Sequence, residues 1–195
     1  MKKTSSKKVL ISSFETFGEH PYNPTILLMN KLLDVSSSQD WQGITLPVSF
    51  GNAFKTLATK INQFQPDLII SLGLAGNRTL LCLEKQAINL IKCDIADNDG
   101  EKILDRVIRP EGAHFLKTSI DLDKLEKQLL NHYEFLQISD NAGTFVCNFL
   151  YYQLLKEYPQ TPSLFIHIPM IASNSSEFEQ YTEALLQLIA KIDSL

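Results

Sequence analysis

The sequence predicts an α/β protein, and three observations carry that reading. Short apolar runs of strand length alternate from end to end with segments of helical period. The chain opens with the pattern β-α-β-α-β, which suits a parallel sheet joined by crossover helices. Of 195 residues, 44% are apolar and 21% charged, with eight Gly and eight Pro. That composition can bury a sizeable core and lacks the charge density or turn-residue excess of disordered and fibrous chains. No linker, repeat or low-complexity block interrupts the pattern, so one domain is expected over 1–195, with 1–7 a flexible tail.

Val9 to Phe14 reads as the first strand. Gly18 and Pro21 mark a loop, after which Asn23-Pro24 supplies an N-cap and a proline at the first helical position of a helix running to about Asp34. Ile44 to Val48 reads as a second strand, Ala53 to Phe64 as an amphipathic helix, and Asp67 to Leu72 as a buried parallel strand. Leu80 to Ile91 alternates as a strand, with Leu81 and Leu83 on one face and Cys82 and Glu84 on the other. Asp94 to Lys102 is a polar loop containing Asp97-Asn98-Asp99-Gly100. A helix is expected over Asp123 to Tyr133, a strand over Phe135 to Ser139, and a helix opening at Gly143-Thr144. Strand Leu164 to Ile168 and a helix from Ser176 to Ile192 close the chain, with Ser176 and Glu179 at capping-box spacing.

Charge and cysteine usage narrow the function. A net charge of −4 lacks the basic footprint of a nucleic-acid binder. The apolar run behind the basic N-terminus, Val9-Leu10-Ile11, is far shorter than a signal h-region, and no stretch approaches a membrane span. A cytoplasmic protein with no membrane partner is therefore expected. Cys82, Cys93 and Cys147 form no C-x-x-C pair, which argues for reduced thiols and against a zinc site.

Three residues stand out chemically. Cys147 lies in the first turns of a helix, where unpaired N–H groups and the macrodipole favour a thiolate; a buried, inert cysteine is the alternative. His167 interrupts an apolar strand and needs a partner, either a backbone carbonyl or a functional group; His20, His114 and His132 lie in loop or solvated-helix contexts. Glu84 either faces solvent on an edge strand or holds a cation or an imidazole N–H. Together they would supply nucleophile, general base and orienter for acyl transfer.

The order Glu84, Cys147, His167 and the words around them resemble the pyrrolidone-carboxylate peptidases (pyroglutamyl peptidase type I), cysteine peptidases that remove an N-terminal pyroglutamyl residue. The matching blocks are Phe14-Glu-Thr-Phe17-Gly18 with Asn23-Pro24, Gly73-Leu-Ala-Gly76 with Glu84-Lys85 and Ala87-Ile88-Asn89, Asp97-Asn98-Asp99-Gly100, Ala142 to Asn148, and Phe165-Ile166-His167-Ile168-Pro169. They span nearly the whole chain in the right order.

The resemblance implies a single-domain three-layer α/β/α sandwich around a twisted mixed, mostly parallel sheet. It implies Cys147 as nucleophile, His167 as base and Glu84 as the residue holding the imidazole, with a thioester acyl-enzyme between. Phe14 and Phe17 match aromatic residues flanking the lactam ring, Phe145 and Val146 match others lining that pocket, and Asn23 matches a side chain near the ring's polar edge. No metal or organic cofactor is implied, and a homo-oligomer is.

A pyroglutamyl group has two apolar faces for aromatic rings and a lactam edge with one N–H and one C=O needing partners. A charged, flexible N-terminal amine would be penalised by desolvation in such a slot.

The chain departs from the family pattern at Ser13, Leu74, Cys82 and Asp94, where Gly, Gln, Ser or Thr, and Arg are common. Asp94 in particular raises the question of which cation stands near the nucleophile, with Lys92 and Arg78 as candidates. Two other readings stay open on the residues alone: a catalytically weak binder of small lactams, and a cysteine amidase with a different acyl substrate.

Overall fold

The computed structural model describes residues 7–18, 20–36, 38–130 and 132–193. Most of the expected N-terminal tail, residues 1–6, lies outside them. Strand β1 (Val9–Phe14) leads through helix α1 (Pro24–Ser36) to β2 (Trp41–Leu46), and helix α2 (Ala53–Phe64) leads on to β3 (Leu68–Leu74). Then come β4 (Leu81–Glu84), β5 (Gln86–Ile88) and β6 (Phe115–Lys117). The remaining elements are α3 (Leu122–Leu125) with a π-helical turn Glu126–Leu130, β7 (Leu136–Ser139), α4 (Val146–Glu157), β8 (Ser163–Ile168) and α5 (Ser176–Asp193).

Six strands form one mixed sheet in the order β2-β1-β3-β8-β4-β7. The pairs among β2, β1, β3 and β8 are parallel, β4 runs antiparallel to β8, and β7 is parallel to β4. Because alternate side chains leave opposite faces of a strand, each strand feeds two cores. Val9, Ile11, Ile70, Leu83 and Ile166 join Leu28 and Leu32 of α1 and Leu185 and Leu188 of α5 on one face. Leu10, Ile69 and Phe165 join Leu57 and Ile61 of α2 and Leu150 and Tyr151 of α4 on the other. This is the α/β/α layering that the resemblance implied. No helix among the described residues is long and apolar enough to cross a membrane.

Several boundaries differ from expectation, the strand ones for tertiary reasons. The second strand begins at Trp41 because Trp41 to Gly43 pair with Val9 to Ile11, and it ends before Pro47. The alternating run from Leu80 to Ile91 is split: Lys85 N–H donates to Ser139 O, and the chain then leaves the main sheet to pair β5 with β6, a strand the periodicity did not show. The expected helix over Asp123 to Tyr133 is one α-turn followed by a π-turn that turns Leu122, Leu125 and Leu129 inward. Helix α4 opens at Val146 rather than at Gly143. The cap of α5 is Ser175, whose Oγ accepts from Phe178 N–H at 3.3 Å, and Ser176 is its first helical residue.

Topology places the site. From β1 the chain steps to β2 on one side, then crosses back to β3 on the other, with α1 and α2 packed on opposite faces. The connections after β1 and β3 therefore part company, and a crevice opens outside their carboxyl ends.

Candidate active site

Phe14 ends β1 and is 3% exposed, its ring 6.3 Å from that of Phe165. Asn23 caps α1 by accepting from Thr25 N–H at 3.1 Å and Thr25 Oγ1 at 2.8 Å. Its Nδ2 donates to the carbonyls of Phe14 and Glu15, at 2.9 and 3.1 Å, so the same side chain ties the loop back onto the end of β1. Phe17 stacks at a tilt on Phe145, 5.1 Å between centroids, and Phe50 meets Phe145 edge-on at 5.3 Å.

These residues enclose a cavity of about 90 Å³ whose walls include Phe14, Phe17, Val48, Leu74, Phe145 and Cys147. A larger, more open cavity of about 310 Å³ also contains Leu74, Phe145 and Cys147, and adds Arg78, Asn141 and His167. Cys147 is thus the junction between an apolar slot and a polar cleft.

The loop before Cys147 is held from outside. Asn141 Oδ1 accepts from Gly143 N–H, Gly143 adopts a positive φ of 79°, and Thr144 is clipped to Lys92 through its backbone and its Oγ1. Helix α4 begins after Phe145, leaving the N–H groups of its first turn without helical partners. Asn148, fully buried, anchors that turn by accepting from Ile88 N–H and donating to the carbonyls of Ile88 and Leu90.

Gly73 of β3 faces the same spot. A Cβ there would fall 2.7 Å from the Phe165 ring and 3.1 Å from Cys147 Sγ, so only glycine lets the thiol approach the sheet.

His167 is paired in register with Gly73 on one side and Cys82 on the other, and its ring lies 4.9 Å from that of Phe165. Glu84 is fully buried at the end of β4, and its Oε1 stands 2.7 Å from His167 Nδ1. The same oxygen accepts from Arg78 Nη1 at 2.8 Å, while Arg78 also reaches Ser139 Oγ and the Asn141 carbonyl. A carboxylate only accepts, so this geometry puts the imidazole proton on Nδ1 and leaves Nε2 as an acceptor. Tyr151 Oη donates to the Glu84 carbonyl and pins the strand end under α4. Glu84 Oε2 is buried with no partner among the described residues.

The structure departs from the expected thiolate. The Cys147 thiol is pushed up to about 12, chiefly by burial and then by the Glu84 carboxylate; the N–H at the helix start and Arg78 lower it but are outweighed. One further expectation is corrected. The Val146 side chain is fully buried in the core against α2 and is absent from the lining of either cavity. Asn23 stands on the slot wall, but both amide hydrogens and both lone pairs of its oxygen are spent on the protein.

Glu84, Cys147, His167, Phe14, Phe17, Asn23 and Phe145 converge at the carboxyl ends of the parallel strands. Asp94 is exposed and in the lining of neither cavity, and of the candidate cations Arg78 is the one at the site. His20, Glu15 and Gly76 also line the slot, and Asn98 braces it, with no motif in the chain that marks them for those places. Asn98 binds the carbonyls of Val48 and Thr16, and Asp97 accepts from Phe50 N–H, so this turn clamps both slot walls. Asn98 follows the buried Asp97 in a short polar turn, a local signal that marks a loop without saying what it holds.

The pyroglutamyl peptidase family model matches residues 7–185. A pyrrolidone-carboxylate peptidase of Enterococcus faecalis is 33% identical, covering 96% of this chain and 89% of its own length. That of Pyrococcus furiosus is 35% identical, covering 84% and 81%. Among solved structures, pyroglutamyl peptidase I of Bacillus amyloliquefaciens superposes with a TM-score of 0.86 at 27% identity, covering 97% of this chain and 98% of the other. The pyrrolidone carboxyl peptidase of Thermococcus litoralis superposes with a TM-score of 0.84 at 26% identity, covering 96% and 93%. On a family match that spans most of the chain, and relatives alike in sequence and fold, the chain belongs to the pyroglutamyl peptidase family of cysteine peptidases.

Proposed function

We propose that the protein hydrolyses the amide bond after an N-terminal pyroglutamyl residue, with Cys147 as nucleophile. The observation that carries this reading is the position of Cys147 between the two cavities, one apolar and lined by Phe14, Phe17 and Phe145, the other polar and holding His167. A flat lactam suits the first, and the leaving peptide suits the second.

In this reading Cys147 Sγ attacks the pyroglutamyl carbonyl carbon as its proton passes to His167 Nε2. The oxyanion is met by the free N–H groups at the start of α4. The C–N bond then breaks as the imidazolium returns the proton to the leaving amine, and a thioester remains. Water, deprotonated by the same Nε2, attacks the thioester and releases pyroglutamate and the thiol. Glu84 stabilises the imidazolium formed in each half and holds the ring, and Arg78 holds the Glu84 carboxylate in place. A thiol held in its neutral form makes this base indispensable, because little thiolate exists before substrate arrives.

The test is release of a fluorophore from a pyroglutamyl amide. Turnover that is lost in Cys147→Ala and in His167→Ala supports the reading. Absence of turnover in the folded wild-type protein overturns it. The raised thiol is the observation that favours the rival, a lactam binder with little turnover. That rival predicts saturable binding of 2-pyrrolidinone by a protein that releases no fluorophore.

A further inference from the structure

We propose that His20 is a specificity-determining residue, donating a hydrogen bond to the ring carbonyl of the bound pyroglutamyl group. The inference rests on the pyroglutamyl reading above and names the side chain that reads the lactam edge.

Side-chain donors on the slot are few. The ring carbonyl needs a hydrogen-bond donor, and leaving it unpaired in an apolar slot costs affinity. Among the described residues lining the slot, three side chains carry a donor: His20, Asn23 and Cys147. Both Asn23 amide hydrogens go to the carbonyls of Phe14 and Glu15. The Cys147 S–H is consumed by the reaction itself. His20 is left, exposed and with no hydrogen bond to the protein among the described residues.

Its placement is specific. The imidazole lies over Gly76, where an added Cβ would come within 3.3 Å of Cε1 and 3.6 Å of Nε2. Glycine at that position leaves room for the ring at the slot rim. Glu15, a further polar side chain on the slot, only accepts while ionised, and so suits the lactam N–H rather than the carbonyl. An imidazole N–H and a carboxylate on one slot supply the donor and the acceptor that a lactam edge needs.

The experiment compares wild type, His20→Ala and His20→Gln, the last keeping a side-chain N–H donor. It measures kcat and KM for a pyroglutamyl fluorogenic amide, the inhibition constant of 2-pyrrolidinone, and the rate of Cys147 alkylation by iodoacetamide. In His20→Ala, KM and the inhibition constant are expected to rise about tenfold, the loss of one hydrogen bond at 1.4 kcal/mol per decade. In that variant kcat and the alkylation rate should stay within about twofold of wild type. In His20→Gln the losses should be mostly recovered. An unchanged inhibition constant in His20→Ala overturns the inference, as does an equal loss in both variants. A parallel fall in alkylation also overturns it, since His20 would then act through the thiol. All three results leave the pyroglutamyl reading standing, whereas a wild-type protein with no turnover of the amide overturns both.

Discussion

Glu84 Oε1 and His167 Nδ1 stand 2.7 Å apart in a buried pair, and the same oxygen is also the one that Arg78 holds at 2.8 Å. Two donors on one oxygen fix the carboxylate plane and the ring together, so the orientation of His167 depends on Arg78, a residue that need not touch substrate. Replacing Arg78 by Ala leaves a buried carboxylate with half its partners, at a cost of about 2 kcal/mol. For a chain of this size that lowers Tm by about 4–8 °C. Thermal unfolding checks it, and an unchanged Tm would mean that solvent replaces the guanidinium without loss.

Glu84→Gln keeps the side-chain shape but removes the charge that stabilises the imidazolium. The expected result is a fall in kcat of a hundredfold or more with KM little changed. Steady-state kinetics on a pyroglutamyl amide decide it, and a loss confined to KM would make Glu84 a binding residue.

The Cys147 thiol, raised from 9.0 to about 12, fixes a pH dependence. Between those values the unfolded chain has lost the proton that the folded one retains. Stability from this group is therefore full below pH 9 and is lost as pH rises toward 12. Cys147→Ala should lose less stability than wild type over that window in denaturant titrations. Alkylation by iodoacetamide should also climb steadily with pH through 9, because the thiolate is the reacting species. A plateau below neutrality would show a preformed thiolate instead.

Gly73→Ala should damage fold and chemistry together. The new methyl would meet Phe165 at 2.7 Å and Cys147 Sγ at 3.1 Å. Overpacking costs about 1–3 kcal/mol, and a displaced nucleophile about a hundredfold in kcat/KM. Thermal unfolding and kinetics on the same preparation test both, and a fully active variant would show that the thiol is free to move.

Phe14 and Phe17 are expected to separate by burial. Phe14 is 3% exposed in the core, so Phe14→Ala should cost about 3–5 kcal/mol. Phe17 is half-buried at the slot mouth, so Phe17→Ala should raise KM severalfold with a small change in Tm. Equal stability losses would place Phe17 in the core as well.

Asp94 is exposed and away from both cavities, so Asp94→Ala and Asp94→Arg should each leave kcat/KM within about twofold of wild type. A gain in Asp94→Arg would show that the loop reaches the site during turnover.

Periodicity and capping are local signals, and what depended on them was legible in the chain. Helix α2 has its expected bounds, β1 runs from Val9 to Phe14 as read, and Asn23 caps α1 as its side chain and the following proline require. Glu84, Cys147 and His167 could be put forward from the chain too, because their surrounding words resemble a family's. Pairing was not legible: whether Gln86 to Ile88 stay in the main sheet depends on Phe115 to Lys117, far along the chain, and on Ser139 drawing Lys85 away. Orientation was not legible either, as Val146 shows by turning into the core beside a thiol that faces the cavity. Nor was the state of that thiol. A helix start lowers a cysteine's pKa from within a few residues, but desolvation and a carboxylate from another strand are supplied only when α4, β3, β4 and β8 come together, and at Cys147 those outweigh the local effect.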